Sequence, residues 1–232
     1  MTWRQIVRRK ESVAIVLAMI VLIGALLSRP EIRARILHPG STVIRGPKGL
    51  PAYVGRDPRE WRPVAEEIRI FNDDQVRELQ KQLNDWANAI LANSDQLEPW
   101  IGIGLIKKNI GDYEGAREAW EYVSLIRPKN VVSFYDLGGL YWHELPDFPR
   151  AEASYRRAIL NEPRYIDSYI GLSDLYRYSM PGKAGEADKP LLEGLEKNPD
   201  DSSLLRYLIG YYEQTGQPDK AEEWQKKLDQ LK

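Results

Sequence analysis

Histidine, cysteine and paired carboxylates are the residue types that most often carry catalysis or hold metal, and this chain holds few of them. It has no cysteine and two histidines, His38 and His143. Without a thiol there is no thiolate nucleophile and no Cys-ligated zinc site. His38 lies in a Pro/Gly-rich stretch far from His143, so a multi-histidine site within one chain is not expected. The carboxylate pairs Asp73-Asp74 and Asp200-Asp201 each precede a helical pattern. There they suit capping of free N–H groups and the positive end of the helix dipole better than acid–base work. No Gly-rich phosphate loop or dinucleotide fingerprint is present. The expectation is a non-enzyme with no cofactor and no metal.

The elements that must position any binding residues recur along the chain. An aromatic is followed three residues on by an aliphatic and then a small residue: Trp100, Ile103, Gly104; Phe134, Leu137, Gly138; Tyr169, Leu172, Ser173. An alanine then precedes a bulky residue by four: Ala116 and Trp120, Ala151 and Tyr155, Ala187 and Leu191. Pro128, Pro163 and Pro199 close the units at intervals of 35 and 36 residues. A fixed period in this range marks stacked helix pairs, each needing a neighbour to bury its apolar face. The small residues let partner helices approach closely, and each proline falls past a helix end, where its missing N–H breaks no interior bond. Asp95 with Glu98 reads as a capping box.

These residues resemble the tetratricopeptide repeat (TPR), a 34-residue helix–turn–helix unit. The resemblance implies an all-α solenoid with units at 97–130, 131–165 and 166–201 and a degenerate unit or cap at 202–232. The first unit departs by placing Lys107 where the family has a tyrosine; the second and third carry one and two extra residues in their turns. In this family the first helices of successive units line a groove that takes an extended peptide or a helix of a partner protein. Carried over by position, the groove presents Lys108 and Asn109 from the first unit, and Tyr135, Asp136, Trp142 and His143 from the second. The third adds Asp167, Asp174, Arg177 and Tyr178, and the fourth Arg206 and Tyr207. Aromatics beside Arg and Asp suit a segment with apolar anchors and some basic character. The competing structural reading is that Tyr135 and Tyr178 pack between units and that Asp174 and Arg177 pair along one helix face. Asp136, Asp167 and Asp174 interrupt the Lys/Asn/Arg pattern of family members that clamp a C-terminal carboxylate.

Upstream of the repeats the composition changes. Residues 1–60 hold 11 Lys/Arg against 4 Asp/Glu, a balance of +7, and the remaining 172 hold 22 against 30, a balance of −8. An acidic body argues against nucleic acid as its partner. A basic tail over 1–12 leads into Val13–Ser28, sixteen uncharged and mostly apolar residues that as a helix would span roughly 24 Å. That is slightly short of a ~30 Å hydrocarbon core, a deficit that snorkelling Arg8, Arg9, Lys10 and Arg29 can cover. The reading is an N-terminal transmembrane helix in contact with lipid; a cleaved signal peptide competes but lacks a good small-x-small site. Arg4, Arg8, Arg9 and Lys10 favour a cytoplasmic N-terminus and extracytoplasmic repeats, periplasmic in a bacterium. Basic residues after the span keep the opposite topology, with cytosolic repeats, open.

Residues 29–56, with repeated Pro and Gly, read as an extended linker with strand-like pieces at STVI and AYV. Residues 57–96 read as a degenerate helix pair covering the first clear unit. One helix runs from Asp57-Pro58 through about Phe71, and the next is capped by Asn72 with Gln75 and runs to about Ala92. The functional expectation is a membrane-tethered protein–protein interaction scaffold or accessory subunit that docks a partner in its groove and helps assemble or stabilise a membrane complex. The alternative is a structural subunit that self-associates or packs edge-on without recognising peptides.

Overall fold

The computed structural model describes residues 40–231. Over that range the chain forms two short strands, ten α-helices and one 3-10 helix. The strands β1 (Thr42–Ile44) and β2 (Tyr53–Gly55) pair antiparallel with Val43 opposite Val54. The helices are α1 (Ala65–Ile68), α2 (Asp73–Ala92), α3 (Leu97–Asn109), α4 (Tyr113–Ile126), α5 (Val131–His143), α6 (Phe148–Asn161), α7 (Ile166–Ser179), α8 (Asp188–Lys197), α9 (Ser202–Gln214) and α10 (Pro218–Asp229). From α3 onward they are four consecutive helix hairpins, and α2 packs on the outer side of α3. No helix of the described residues is long and apolar enough to cross a membrane. The apolar stretch 13–28 lies outside the described residues.

Local chemistry sets the helix ends. Asp112, Asn130, Asp147 and Asp201 each accept a hydrogen bond from the backbone N–H three residues on, which caps α4, α5, α6 and α9. Asn72 and Gln75 form the reciprocal capping box expected for α2. Asp95 does not cap α3: its carboxylate pairs with Arg127, and Gln96 stands at the N-cap without a side-chain capping bond, its amide donating instead to the carbonyl of Ala89. Between α3 and α4, Gly111 adopts φ 82° and the N–H of Asp112 returns to the carbonyl of Lys107. Gly216, φ 71°, and Gln217 repeat this arrangement between α9 and α10. A left-handed glycine here satisfies the last carbonyls of the first helix and reverses the chain. The two middle hairpins have no such glycine; the lengthened turn of the third folds as the 3-10 helix Pro181–Glu186.

The spaced small residues meet the partners expected of them. A Cβ on Gly104 would lie 2.2 Å from Nε1 of Trp120, and one on Gly138 2.7 Å from the Tyr155 ring. Ser173 Oγ donates to the carbonyl of Ala187 across the third hairpin at 2.6 Å. The three prolines stand just past α4, α6 and α8. Pro128 and Pro163 offer their carbonyls to Asn161 and Asn198, which ties successive units together.

The lead-in differs from a free linker and a full helix. Asp57 caps a turn through Arg59, and only Ala65–Ile68 becomes helical before Phe71. Pro63 accounts for this, because it lacks an N–H and pushes Arg62 out of the helical region. The strand hairpin buries Ile44 and Tyr53 on the first unit, where the Tyr53 ring lies 4.8 Å from Trp100 and 5.4 Å from Tyr122. Burial and the facing Glu118 carboxylate push the Tyr53 hydroxyl pKa far up, so it stays a protonated donor to Glu118 and to the carbonyl of Arg56. Lys107, 2% exposed, donates to the Glu60 carbonyl at 3.0 Å and to Asp112 at 2.8 Å. Asp112 also accepts from Arg56 at 2.7 Å. The residue that breaks the family pattern is therefore the one that fastens the lead-in.

Candidate functional site

A concave pocket of about 290 Å³ opens between the second and third hairpins. Its walls are one face of each first helix. Tyr135, Gly139, Trp142 and His143 come from α5, and Asp167, Ile170, Gly171 and Asp174 from α7. Spacings of three and four put each set on a single stripe. Lys108 of α3 closes one end, and Tyr155 of α6 forms the floor. The floor is placed by missing side chains: a Cβ on either Gly138 or Gly171 would lie 2.7 Å from the Tyr155 ring. That ring reaches between α5 and α7, 5.9 Å from the ring of Tyr135.

Polar groups in the pocket fall into answered and unanswered sets. Tyr207 of α9 donates to both oxygens of Asp174 at 2.5 Å. Burial pushes the Asp174 pKa up, while that hydrogen bond, Arg177 and His143 pull it down. Trp142 Nε1 donates to Ser179 Oγ at 2.7 Å, and its ring lies 4.0 Å from that of His143. Asp136 is different. Burial pushes its pKa up to about 6, and only the field of Lys108 pulls it back. Among the described residues no donor hydrogen-bonds its carboxylate. Burial also pushes the hydroxyl of Tyr165, beside Tyr135, up to about 12, so it is neutral at physiological pH.

Of the residues assigned to the groove from sequence, Lys108, Tyr135, Asp136, Trp142, His143, Asp167 and Asp174 line this pocket. Tyr207 reaches it through Asp174. Asn109 and Arg206 are exposed outside it. Arg177 instead stacks its guanidinium 4.9 Å from the ring of Tyr178 and 5.4 Å from that of Tyr211, and Tyr178 is 62% exposed. Tyr155, Ile170, Gly139 and Gly171 were not anticipated. Tyr155 reads in sequence as a packing residue, and its second role depends on Gly171 in the next unit, 16 residues on.

Comparison with solved structures supports the fold on this geometry. A crystal structure of MamA superposes with a TM-score of 0.53 at 17% identity, covering 74% of this chain and 96% of that one. A second MamA crystal structure gives 0.51 at 20% identity, covering 72% and 93%. A thermophilic TPR protein from Thermus thermophilus gives 0.47 at 17% identity, covering 72% and 90%. No protein-family profile and no curated protein sequence matches the chain. The stacked hairpins, their small-residue contacts and the two superpositions above 0.5 together show a solenoid of helix hairpins, the fold that the tetratricopeptide-like spacing predicts.

Proposed function

We propose that this chain is a membrane-tethered interaction scaffold that docks a partner protein in the groove between its second and third hairpins and supports assembly of a membrane complex. The observation that carries the reading is the pocket itself. It is concave, built from the first helices of adjacent units, and retains a half-buried carboxylate to which none of the described residues donates a hydrogen bond. Rigid helices hold these side chains in place, so little ordering is needed on docking. Tethering rests on the sequence of Val13–Ser28 and its basic flanks. With the strand hairpin docked from Thr42, the thirteen residues from Arg29 to Ser41 could span at most about 45 Å, which would keep the groove near the bilayer. The basic tail favours repeats on the extracytoplasmic side.

Photo-crosslinking in native membranes tests this reading. A photoreactive residue replaces Trp142 in the groove or Leu160, 69% exposed on α6 and outside the pocket. One protein captured from position 142 and not from 160 is the expected result. Capture from 160 alone would move docking to an outer face, and capture of further copies of this chain would support the self-associating alternative.

A further inference from the structure

The pocket has a definite charge. Asp136, Asp167 and Asp174 face it, against Lys108 and the exposed His143. Asp174 is held by Tyr207, whereas Asp136 accepts no hydrogen bond and makes no ion-pair contact with Lys108 within the described residues. A half-buried carboxylate without a donor is costly to keep, and a cation brought to it recovers much of that cost. Around it stand the rings of Tyr135 and Tyr155 and the side chain of Ile170. Such walls accept a methylene stem and, through the ring faces, a cationic head. About 290 Å³ lies just below the usual range for small-molecule pockets, and fits one long side chain better than a drug-sized ligand.

We propose that this pocket receives a lysine or arginine side chain of the docked partner, its cation set against Asp136 and its stem against Tyr135, Tyr155 and Ile170. The inference rests on the groove reading above and gives that groove its chemical preference. Arginine is the better fit of the two, because a planar guanidinium can meet a carboxylate in bidentate fashion while stacking on a ring. Discrimination follows from the same groups: an acidic or purely apolar segment would leave Asp136 buried and unanswered.

The test uses full-length protein in detergent micelles and a random dodecapeptide display library. Selected peptides are measured by fluorescence anisotropy, and a photoreactive group at position 142 reports whether each sits in the groove. The expected result is a consensus with a central basic residue. Replacing that residue by citrulline, or the protein's Asp136→Asn, should each weaken binding tenfold or more, and the two together little more than either alone. Tyr135→Ala should also weaken binding, whereas Lys220→Ala, in α10 and outside the pocket, should not. Groove-bound peptides without a basic residue, or with full affinity for the Asp136→Asn protein, would overturn the proposal and leave the groove reading standing. Peptides that crosslink nowhere in the groove would remove both. A dimeric mass that falls to the monomer's as peptide is added would give the groove to a second copy and overturn the proposal.

Discussion

Asp112 and Asp136 lie 24 residues apart, in adjacent units, and their surroundings are opposite. Asp112, 5% exposed, is met by the Lys107 ammonium, the Arg56 guanidinium and the N–H of Gly115. Each of these donors comes from a different part of the fold, so the carboxylate joins the lead-in, the end of α3 and the start of α4. Asp136 sits on a helix with no hydrogen-bond donor among the described residues, in a wall that opens to solvent. Burying an answered charge fixes structure; holding an unanswered one costs stability and is tolerated where function needs it. The first region reads as architecture, and the second is where we propose docking.

That contrast can be broken most forcefully at the first region. Asp112→Ala would leave Lys107 buried without its carboxylate and α4 without its cap, and should cost about 3–5 kcal/mol in chemical denaturation. Asp112→Asn should also be destabilising because it leaves the Lys107 ammonium buried without a counter-charge beside it, and adding Lys107→Met to it should recover much of that loss, since a buried pair replaced as a unit is far cheaper than one partner alone. A double variant as unstable as the single one would mean that the pair is not the joint.

Tyr53→Ala empties the space between Trp100 and Tyr122 and should cost about 3 kcal/mol, with faster proteolysis of residues 40–60 as the specific sign that the strand hairpin has lifted. Cleavage unchanged from the wild type would mean that the hairpin is held mainly by other contacts. Gly104→Ala drives a methyl into the buried Trp120, whose indole N–H donates to the carbonyl of Ile101. A thermal melt should show a loss of about 1–3 kcal/mol, with the groove between the second and third hairpins unaffected.

The part of the fold legible in sequence is the part governed by short spacings. The aromatic–aliphatic–small triplets, the alanines and the closing prolines are local signals, and each hairpin forms where they place it. The groove stripes at 135–143 and 167–174 follow from the same helical period. Arg177, Tyr178 and Arg206 fell outside the pocket because position along a helix does not say which way a long side chain turns, and Tyr211 offers Arg177 a ring nearby. The docked lead-in was not legible, since Tyr53 meets Trp100 and Lys107 meets Glu60 across some 47 residues. One signal was present: a lysine at a position that the repeat reserves for a buried ring, with an aspartate five residues on. Pro63 likewise marked the end of the helix expected from Asp57.

The most direct test of the contrast is the sign of one stability change. Asp136→Asn removes a carboxylate whose folded pKa is raised to about 6, against about 4 in the unfolded chain. The folded wild type then binds more protons than the unfolded chain between those values, so this group's contribution to stability falls as pH rises from about 4 to 6 and stays low above. The full shift corresponds to roughly 3 kcal/mol, which solvent screening at a half-buried site reduces to about 1 kcal/mol. Urea denaturation of both proteins from pH 4 to pH 8 reads the difference. The expected result is an Asn variant more stable than the wild type by about 1 kcal/mol at pH 7–8, with the gap closing toward pH 4. An Asn variant that is less stable at pH 7 would mean that Asp136 has a structural partner after all, and would contradict its assignment to the docking site.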